Sequence, residues 1–339
     1  MVQHISRLKN ITIRVRNVSI ELLNIDCMEY MATQPDKSFD LAIVDPPYFE
    51  VKGEFDFKWE SFAHYLEDVE KWAVALKRIL KDSGHFFWWG HAKKIAYTQV
   101  ILDKYFNLEN SMVWEKTDSI QYQYYSPNLA RCFNTHNERV LYYSCEVGMT
   151  GRDFIESEYI APRNPFSIYL RKEFDKACVT NKEIAKLFPS KTGGLTGCVS
   201  NWLNGDNVIT KEQYMTIRAY LGEAYLRREY EDLRREYEDL RRPFNNVLKI
   251  TDVLKFSQQS NITGKYKHPT QKAQKLTEAI VLATGKKGGR AFIPFVGSGT
   301  ELIECHKIGM DVVGCEINKE FYEMAKERFD RETRQVEMF

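Results

Sequence analysis

Apolar runs of strand length alternate with amphipathic helical segments over residues 1–150, the alternation stops over 151–262, and it resumes over 263–339. Buried strands joined by helices call for a parallel sheet covered on both faces. SIELLNID (19–26) and FDLAIVD (39–45) are two such strands, with the short amphipathic piece CMEYMATQP between them. Over 62–84, Phe62, Leu66, Val69, Trp72, Ala73, Leu76 and Leu80 share one helical face, and Gly84 stops the helix. HFFWWG, NSMVWEK (110–116) and ERVLYYSC (138–145) read as further strands. Past the gap, KLTEAIVLATG, TELIECHKIG and KEFYEMAKERF read as helices, with RAFIPF and DVVGCEI as the strands between them. One α/β sheet is thus split by an insertion.

The insertion carries three short helical signals: NKEIAKLF (181–188) behind Thr180, TGCVSNWLNG (196–205) ending at Gly205, and TKEQYMTIRAYL beginning at Thr210. Short helices with glycine-bearing turns suggest a helix-turn-helix, and a plain helical insertion fits equally. The third helix is expected to run on into LRREYEDLRREYEDLRR (226–242), stopped by Pro243. Its stripe of Leu226, Leu233 and Leu240 with Tyr230 and Tyr237 has coiled-coil spacing but covers fewer than three heptads. Packing of that stripe on its own domain is favoured over a homodimer seam.

The 339 residues, 43% of them hydrophobic, suit about two soluble domains and exclude a disordered chain. Seven cysteines with no C-x-x-C pair point away from disulfides and zinc, and Cys305-His306 lacks companion ligands. No stretch reaches the roughly 18 to 20 apolar residues of a membrane span. The start, MVQHISRLKNITIRVRNV, has no apolar signal core, so a cytoplasmic protein is expected. The net charge of +1 argues at first against a polyanionic partner. It hides segregation, because residues 241–290 hold eleven Lys and Arg against two Asp and Glu.

Three short motifs carry chemistry. Asp45-Pro46-Pro47-Tyr48 ends a buried strand, where open α/β sheets place their ligands. The two prolines remove amide donors and leave a carboxylate and carbonyls as acceptors, a set that suits a planar amino group, with Tyr48 able to stack on its ring. Phe295-Val296-Gly297-Ser298-Gly299-Thr300 turns from a strand into a helix, and Glu316 ends the next strand, where it can meet ribose hydroxyls. Leu302 stands where the third glycine of a dinucleotide fingerprint would be. Lys267-His268-Pro269-Thr270-Gln271-Lys272 precedes a helix, with Thr270 and Lys272 placed for a carboxylate.

Together and in this order, NIDCMEYMATQPDKSFDLAIVDPPY, VWEKTD, HNERVLYYS, KHPTQK and FVGSGT resemble the β-class amino-DNA methyltransferases. The resemblance covers about 1–146 and 263–330. It implies a Rossmann-like methyltransferase sheet with circularly permuted motifs: a catalytic half over 1–150, a helical target-recognition insertion over 151–262 and a cofactor half over 263–339. The implied activity is methyl transfer from S-adenosyl-L-methionine to adenine N6 in double-stranded DNA, after base flipping. Cytosine N4 is the alternative, and family cytosine enzymes more often begin the catalytic motif with Ser.

The implied catalytic residues are Asp45, Pro46, Pro47 and Tyr48. The cofactor set adds Asp26, which meets the adenine, Cys27, His268, Thr270, Gln271, Lys272, Phe295, Gly297, Ser298, Gly299, Thr300, Glu316, Ile317 and Asn318. DNA contacts are expected from Lys191, Ser200, Asn201, Asn204, Lys265 and Lys267. The implied partners are DNA at the nucleoid and a cognate restriction enzyme. The family usually carries an aspartate where this chain has Ile293, ahead of Pro294-Phe295, which leaves a contact to the cofactor's amino-acid portion to Asp45 or Thr270. That departure motivates a competing reading, a DNA-binding regulator with a degenerate cofactor site. A methyltransferase acting on RNA or protein is the third reading.

Overall fold

A computed structural model describes residues 11–15, 18–50, 58–117, 133, 135–145, 154–155, 158–159, 164–240, 242–257 and 271–334. The chain forms two compact units, one of residues 1–145 and 243–339 and the other of residues 146–242.

The first unit is built on a nine-stranded sheet. In chain order its elements are β1 (Ile11–Val15), β2 (Val18–Leu23), α1 (Cys27–Thr33), β3 (Phe39–Val44), α2 (Phe62–Ile79), β4 (Leu80–Gly90), α3 (Ile95–Leu102), β5 (Asn107–Lys116) and β6 (Asn137–Ser144). The second segment of this unit, with three more strands and three helices, follows the other unit's elements in sequence.

The second unit contains a two-stranded ladder of β7 (Phe154–Ile155) and β8 (Glu158–Tyr159), then five helices: α4 (Pro165–Lys176), α5 (Asn181–Ala185), α6 (Cys198–Asn204), α7 (Lys211–Leu221) and α8 (Tyr230–Leu240). The chain then returns to the first unit as β9 (Val253–Phe256), α9 (Gln274–Thr284), β10 (Arg290–Ile293), α10 (Thr300–Lys307), β11 (Asp311–Cys315) and α11 (Lys319–Arg334).

The sheet order is β1-β2-β11-β10-β3-β4-β6-β5-β9. Strands β2, β11, β10, β3 and β4 pair in parallel. β1 pairs antiparallel with β2, β6 antiparallel with β4 and β5, and β9 parallel with β5. All six residues of β3 are buried, because helices cover both faces of a central parallel strand. Alternate residues enter opposite cores: Ala42, Val44, Phe86 and Trp88 on one face, Leu41, Ile43, Phe87 and Trp89 on the other. Neighbouring β3 and β10 continue to opposite sides, β3 to β4 and β10 to β11. Their carboxyl ends therefore flank a topological switch point, the crevice where such sheets bind ligands.

Two expectations change here, and one element is added. The helix from Phe62 ends at Ile79 rather than Gly84, because Leu80 already pairs with Phe39 and residues 80–90 all join β4. The insertion ends at Arg242 rather than 262, since β9 completes the edge of the first unit's sheet. β1, part of the unassigned start, is an edge strand. Among the described residues no helix is long and apolar enough to cross a membrane.

In the second unit Thr180 and Thr210 form capping boxes with Glu183 and Gln213, and Gly205 ends α6 at φ 80°. The helix begun at Thr210 does not run into the repeat: it stops at Leu221 against Gly222, and Leu226 takes φ 47° before α8 starts. Leu226 and Leu233 are buried in this unit's own core with Trp202 and Tyr214, so the leucine stripe packs within its own domain. A tight helix-turn-helix is not formed either. Residues 186–197, which carry Pro189 and Gly193 at φ 81°, separate α5 from α6, well beyond the three- to four-residue turn of that motif.

Candidate active site

The crevice at the ends of β3, β10 and β11 holds a cavity of about 240 Å³. Each strand delivers its side chains through a different local device. Asp45 follows the last residue of β3, and the ring of Pro46 is buried behind it. After β10, Gly297 takes φ 52° and Gly299 φ 79°, and α10 begins at the next residue. A side chain at Gly299 would be strained by that φ and would press on Ala325 of α11. Arg328, buried on α11, locks the turn by donating to the Ser298 carbonyl at 3.1 Å and to Thr300 Oγ1 at 2.8 Å.

At one end of the cavity stand Asp26 and Glu316. Asp26 caps α1 by accepting from the Met28 amide at 2.7 Å. Glu316 accepts from the amides of Gly297 at 2.8 Å and Asn318 at 2.9 Å, which ties the glycine turn to the end of β11. Burial raises the Glu316 carboxyl above its ordinary range, and the backbone donors only partly offset it. Ile25, Ile317 and Phe321 add apolar walls beside these carboxylates.

At the other end a charged cluster surrounds Asp45. Tyr48 donates its hydroxyl proton to Asp45 Oδ1 at 2.6 Å, and Lys272 Nζ lies 3.0 Å from the same oxygen. Lys272 also donates to Tyr48 Oη at 2.8 Å and to Glu138 Oε2 at 2.8 Å. Glu138 Oε1 accepts from Lys116 at 2.6 Å. Tyr48 and Lys272 thus both engage Oδ1 and fix that carboxylate oxygen.

Burial pushes the Asp45 carboxyl above its usual range, with Lys272 opposing and Glu138 reinforcing the shift. Burial opposes charge on Glu138 too, but Lys272 and Lys116 overcome it and hold that carboxyl at about 2. Lys272 is raised despite burial, because Asp45 and Glu138 both favour its charged form.

The sequence-derived residues fall into three groups. Asp26, Cys27, Asp45, Pro46, Pro47, Tyr48, Gln271, Lys272, Phe295, Gly297, Ser298, Glu316, Ile317 and Asn318 line the one cavity. Gly299 and Thr300 shape the turn behind it. His268, Thr270, Lys265 and Lys267 lie outside the described residues. Lys191, Ser200, Asn201 and Asn204 belong to the helical unit, where Ser200 and Asn204 are exposed on α6.

Sequence reasoning missed Glu138, Lys116 and Glu301. Glu138 is the second residue of β6 and precedes its buried run Val140–Tyr143, and Glu301 shares a helical stripe with buried Cys305. A carboxylate in such a place was the available signal.

The donor set fits S-adenosylmethionine. Two carboxylates beside apolar walls suit an adenosine, and the glycine turn admits close backbone approach. A further buried carboxyl, Glu301, has an Oε1 that meets no hydrogen-bond donor among the described residues.

The chain matches the N6_N4_Mtase family, DNA methylase, over residues 39–327. The Type II methyltransferase M2.DpnII of Streptococcus pneumoniae is 23% identical over 327 residues, covering 92% of this chain and 90% of the relative. M.HpaI of Haemophilus parainfluenzae, also a Type II methyltransferase, is 48% identical over 65 residues, covering 19% of this chain and 21% of its own length. Among solved structures, the PvuII DNA methyltransferase (cytosine-N4-specific) is similar in fold, with a TM-score of 0.50 at 13% identity over 92% of this chain and 86% of that one. Because the match runs from the first residue of β3 into α11 and takes in Asp45, the glycine turn and Glu316, the chain belongs to the DNA methylase family N6_N4_Mtase, amino-methyltransferases that depend on S-adenosylmethionine.

Proposed function

We propose that this protein methylates the exocyclic N6 of adenine at a specific sequence in double-stranded DNA. The observation that carries the reading is the fixed Asp45 carboxylate, held by Lys272 and Tyr48 on the same cavity as Asp26 and Glu316. When bound, S-adenosylmethionine supplies a methyl group already activated by its sulfonium charge. Asp26 and Glu316 would hold its adenosine portion.

An exocyclic amino nitrogen is a poor nucleophile while its lone pair is delocalised into the ring. Asp45 Oδ2 and the Pro46 carbonyl are acceptors for its two hydrogens, and accepting both favours the pyramidal nitrogen of the transition state. Lys272 favours the ionised form of Asp45 against the effect of burial. Tyr48 offers its ring to the flipped base. The geometry favours positioning over proton abstraction, and the amino proton leaves after transfer.

Asp at the head of the motif favours adenine over cytosine, since the cytosine enzymes of the resembled family more often have Ser there. In this reading α6 of the helical unit presents Ser200, Asn201 and Asn204 to base edges, where Asn pairs with adenine. Lys191, Lys265 and Lys267 contact phosphates. A restriction enzyme that cuts the same sequence is the cellular partner.

The test is to offer the purified protein duplex DNA and RNA in competition, with labelled S-adenosylmethionine, and to identify the labelled nucleoside by mass spectrometry. Labelled N6-methyldeoxyadenosine from the duplex supports the reading. Labelled N4-methyldeoxycytidine, or label confined to RNA, contradicts it.

A further inference from the structure

Ile293, the last residue of β10, is buried among Leu302, Ile303 and Val296 and offers the cofactor no polar group. Eight residues on, the second residue of α10 restores a carboxylate. Glu301 is only 6% exposed, yet it lines the cavity together with Ser298, Lys272 and Asp45.

Nearby cations do not satisfy it. Lys272 is shared between Asp45 and Glu138. Arg328 is engaged by Glu332 at 2.9 Å and by the glycine turn. Glu301 Oε1 is thus a buried acceptor with no hydrogen-bond donor among the described residues. Such an atom is costly unless something brings a donor to it, and a ligand entering the cavity can do so. Glu301 lies within the electrostatic reach of Asp45 and Lys272, with which it shares the cavity wall.

We propose that Glu301 binds the α-ammonium group of the cofactor's methionine portion, replacing from the start of α10 the carboxylate that Ile293 lacks at the end of β10. The proposal rests on reading this cavity as the cofactor site. It explains why the loss of the strand-end aspartate need not leave a degenerate site: the negative charge has moved to the adjoining helix. Burial, with Asp45 adding to it, raises the ligand-free carboxyl to about 7, so an arriving ammonium group meets a carboxyl poised to ionise.

The test measures, by calorimetry on the full chain, binding of S-adenosylhomocysteine and of 5′-methylthioadenosine, which keeps the nucleoside and lacks the amino-acid portion. In Glu301→Gln, S-adenosylhomocysteine should bind about tenfold or more weakly, as expected for a lost charge-assisted bond, while 5′-methylthioadenosine binds as it does to the unsubstituted protein. Unchanged binding of both ligands overturns the proposal and leaves the cofactor site standing. Equal weakening of both also overturns it, because 5′-methylthioadenosine has no ammonium group to lose. Failure of both ligands to bind the unsubstituted protein overturns the proposal together with the reading of the cavity.

Discussion

Lys272 Nζ lies 3.0 Å from Asp45 Oδ1 and 2.8 Å from Glu138 Oε2, so a single buried ammonium group joins the catalytic motif after β3 to the start of β6. Its side chain is 2% exposed. Removing one member of a buried charge cluster costs about 3–5 kcal/mol, because the remaining charges lose their partner. Lys272→Met is therefore expected to lower the melting temperature and to reduce methyl transfer at least a hundredfold, since Asp45 then loses both its fixing contact and the charge that favours its ionised form. A methyl-transfer rate within tenfold of the unsubstituted protein contradicts the role given to Lys272.

Glu138 touches no reacting atom in this account and acts by positioning Lys272. Glu138→Gln should lower kcat by roughly tenfold, in line with about 1–3 kcal/mol for a bond to a charged group, and leave S-adenosylhomocysteine affinity unchanged. Its carboxyl is held at about 2, below the ordinary 4.5, so the stability it contributes is present above 4.5 and is lost as pH falls toward 2. Urea melts of the two proteins should therefore differ most near pH 6 and converge in acid. A kcat unaffected by Glu138→Gln shows that Lys272 holds its place without it.

Glu301 titrates in the opposite sense. Its carboxyl is raised from 4.5 to about 7, so its contribution to ligand-free stability is full below 4.5 and is lost as pH rises through 7. The groups acting on it are Asp45 after β3, Lys272 ahead of α9 and Arg328 on α11, with Cys305 as the titratable neighbour on its own helix. Ligand-free Glu301→Gln should match the unsubstituted protein at pH 4 and exceed it by up to about 3 kcal/mol at pH 8, as read from urea midpoints. Parallel stability profiles from pH 4 to 8 contradict this assignment.

The leucine stripe of the heptad repeat is tested within the helical unit. Leu233 is fully buried there, and Leu233→Ala should cost about 2–5 kcal/mol. Limited proteolysis should then cut within 146–242 first, while sedimentation shows no change in molecular mass. A drop in mass on substitution would instead place Leu233 at a seam between copies.

The central strands were legible because their signal is local. FDLAIV has no polar residue except Asp40, is of strand length and ends at the turn Asp45-Pro46-Pro47, which together favour a strand buried on both faces. The limits of α2 and of the repeat helix were not legible, because pairing of Leu80 with Phe39 and the positive φ of Leu226 are decided by distant or irregular backbone. The same division holds in the site. Asp45, Gly297 and Glu316 were visible from their places at strand ends. Glu138 was not, since its meaning depends on Lys272, 134 residues away in the chain, and Glu301 resembled an ordinary polar position in an amphipathic helix.

Single-molecule sequencing of DNA from a host expressing the protein tests the central claim most directly, because it reports the modified base and its sequence context together. The expected result is N6-methyladenine at one short recurring sequence, absent when the host expresses Asp45→Ala. Modified cytosine in that position, or no modified base at an expression level where a control methyltransferase is detected, would contradict it.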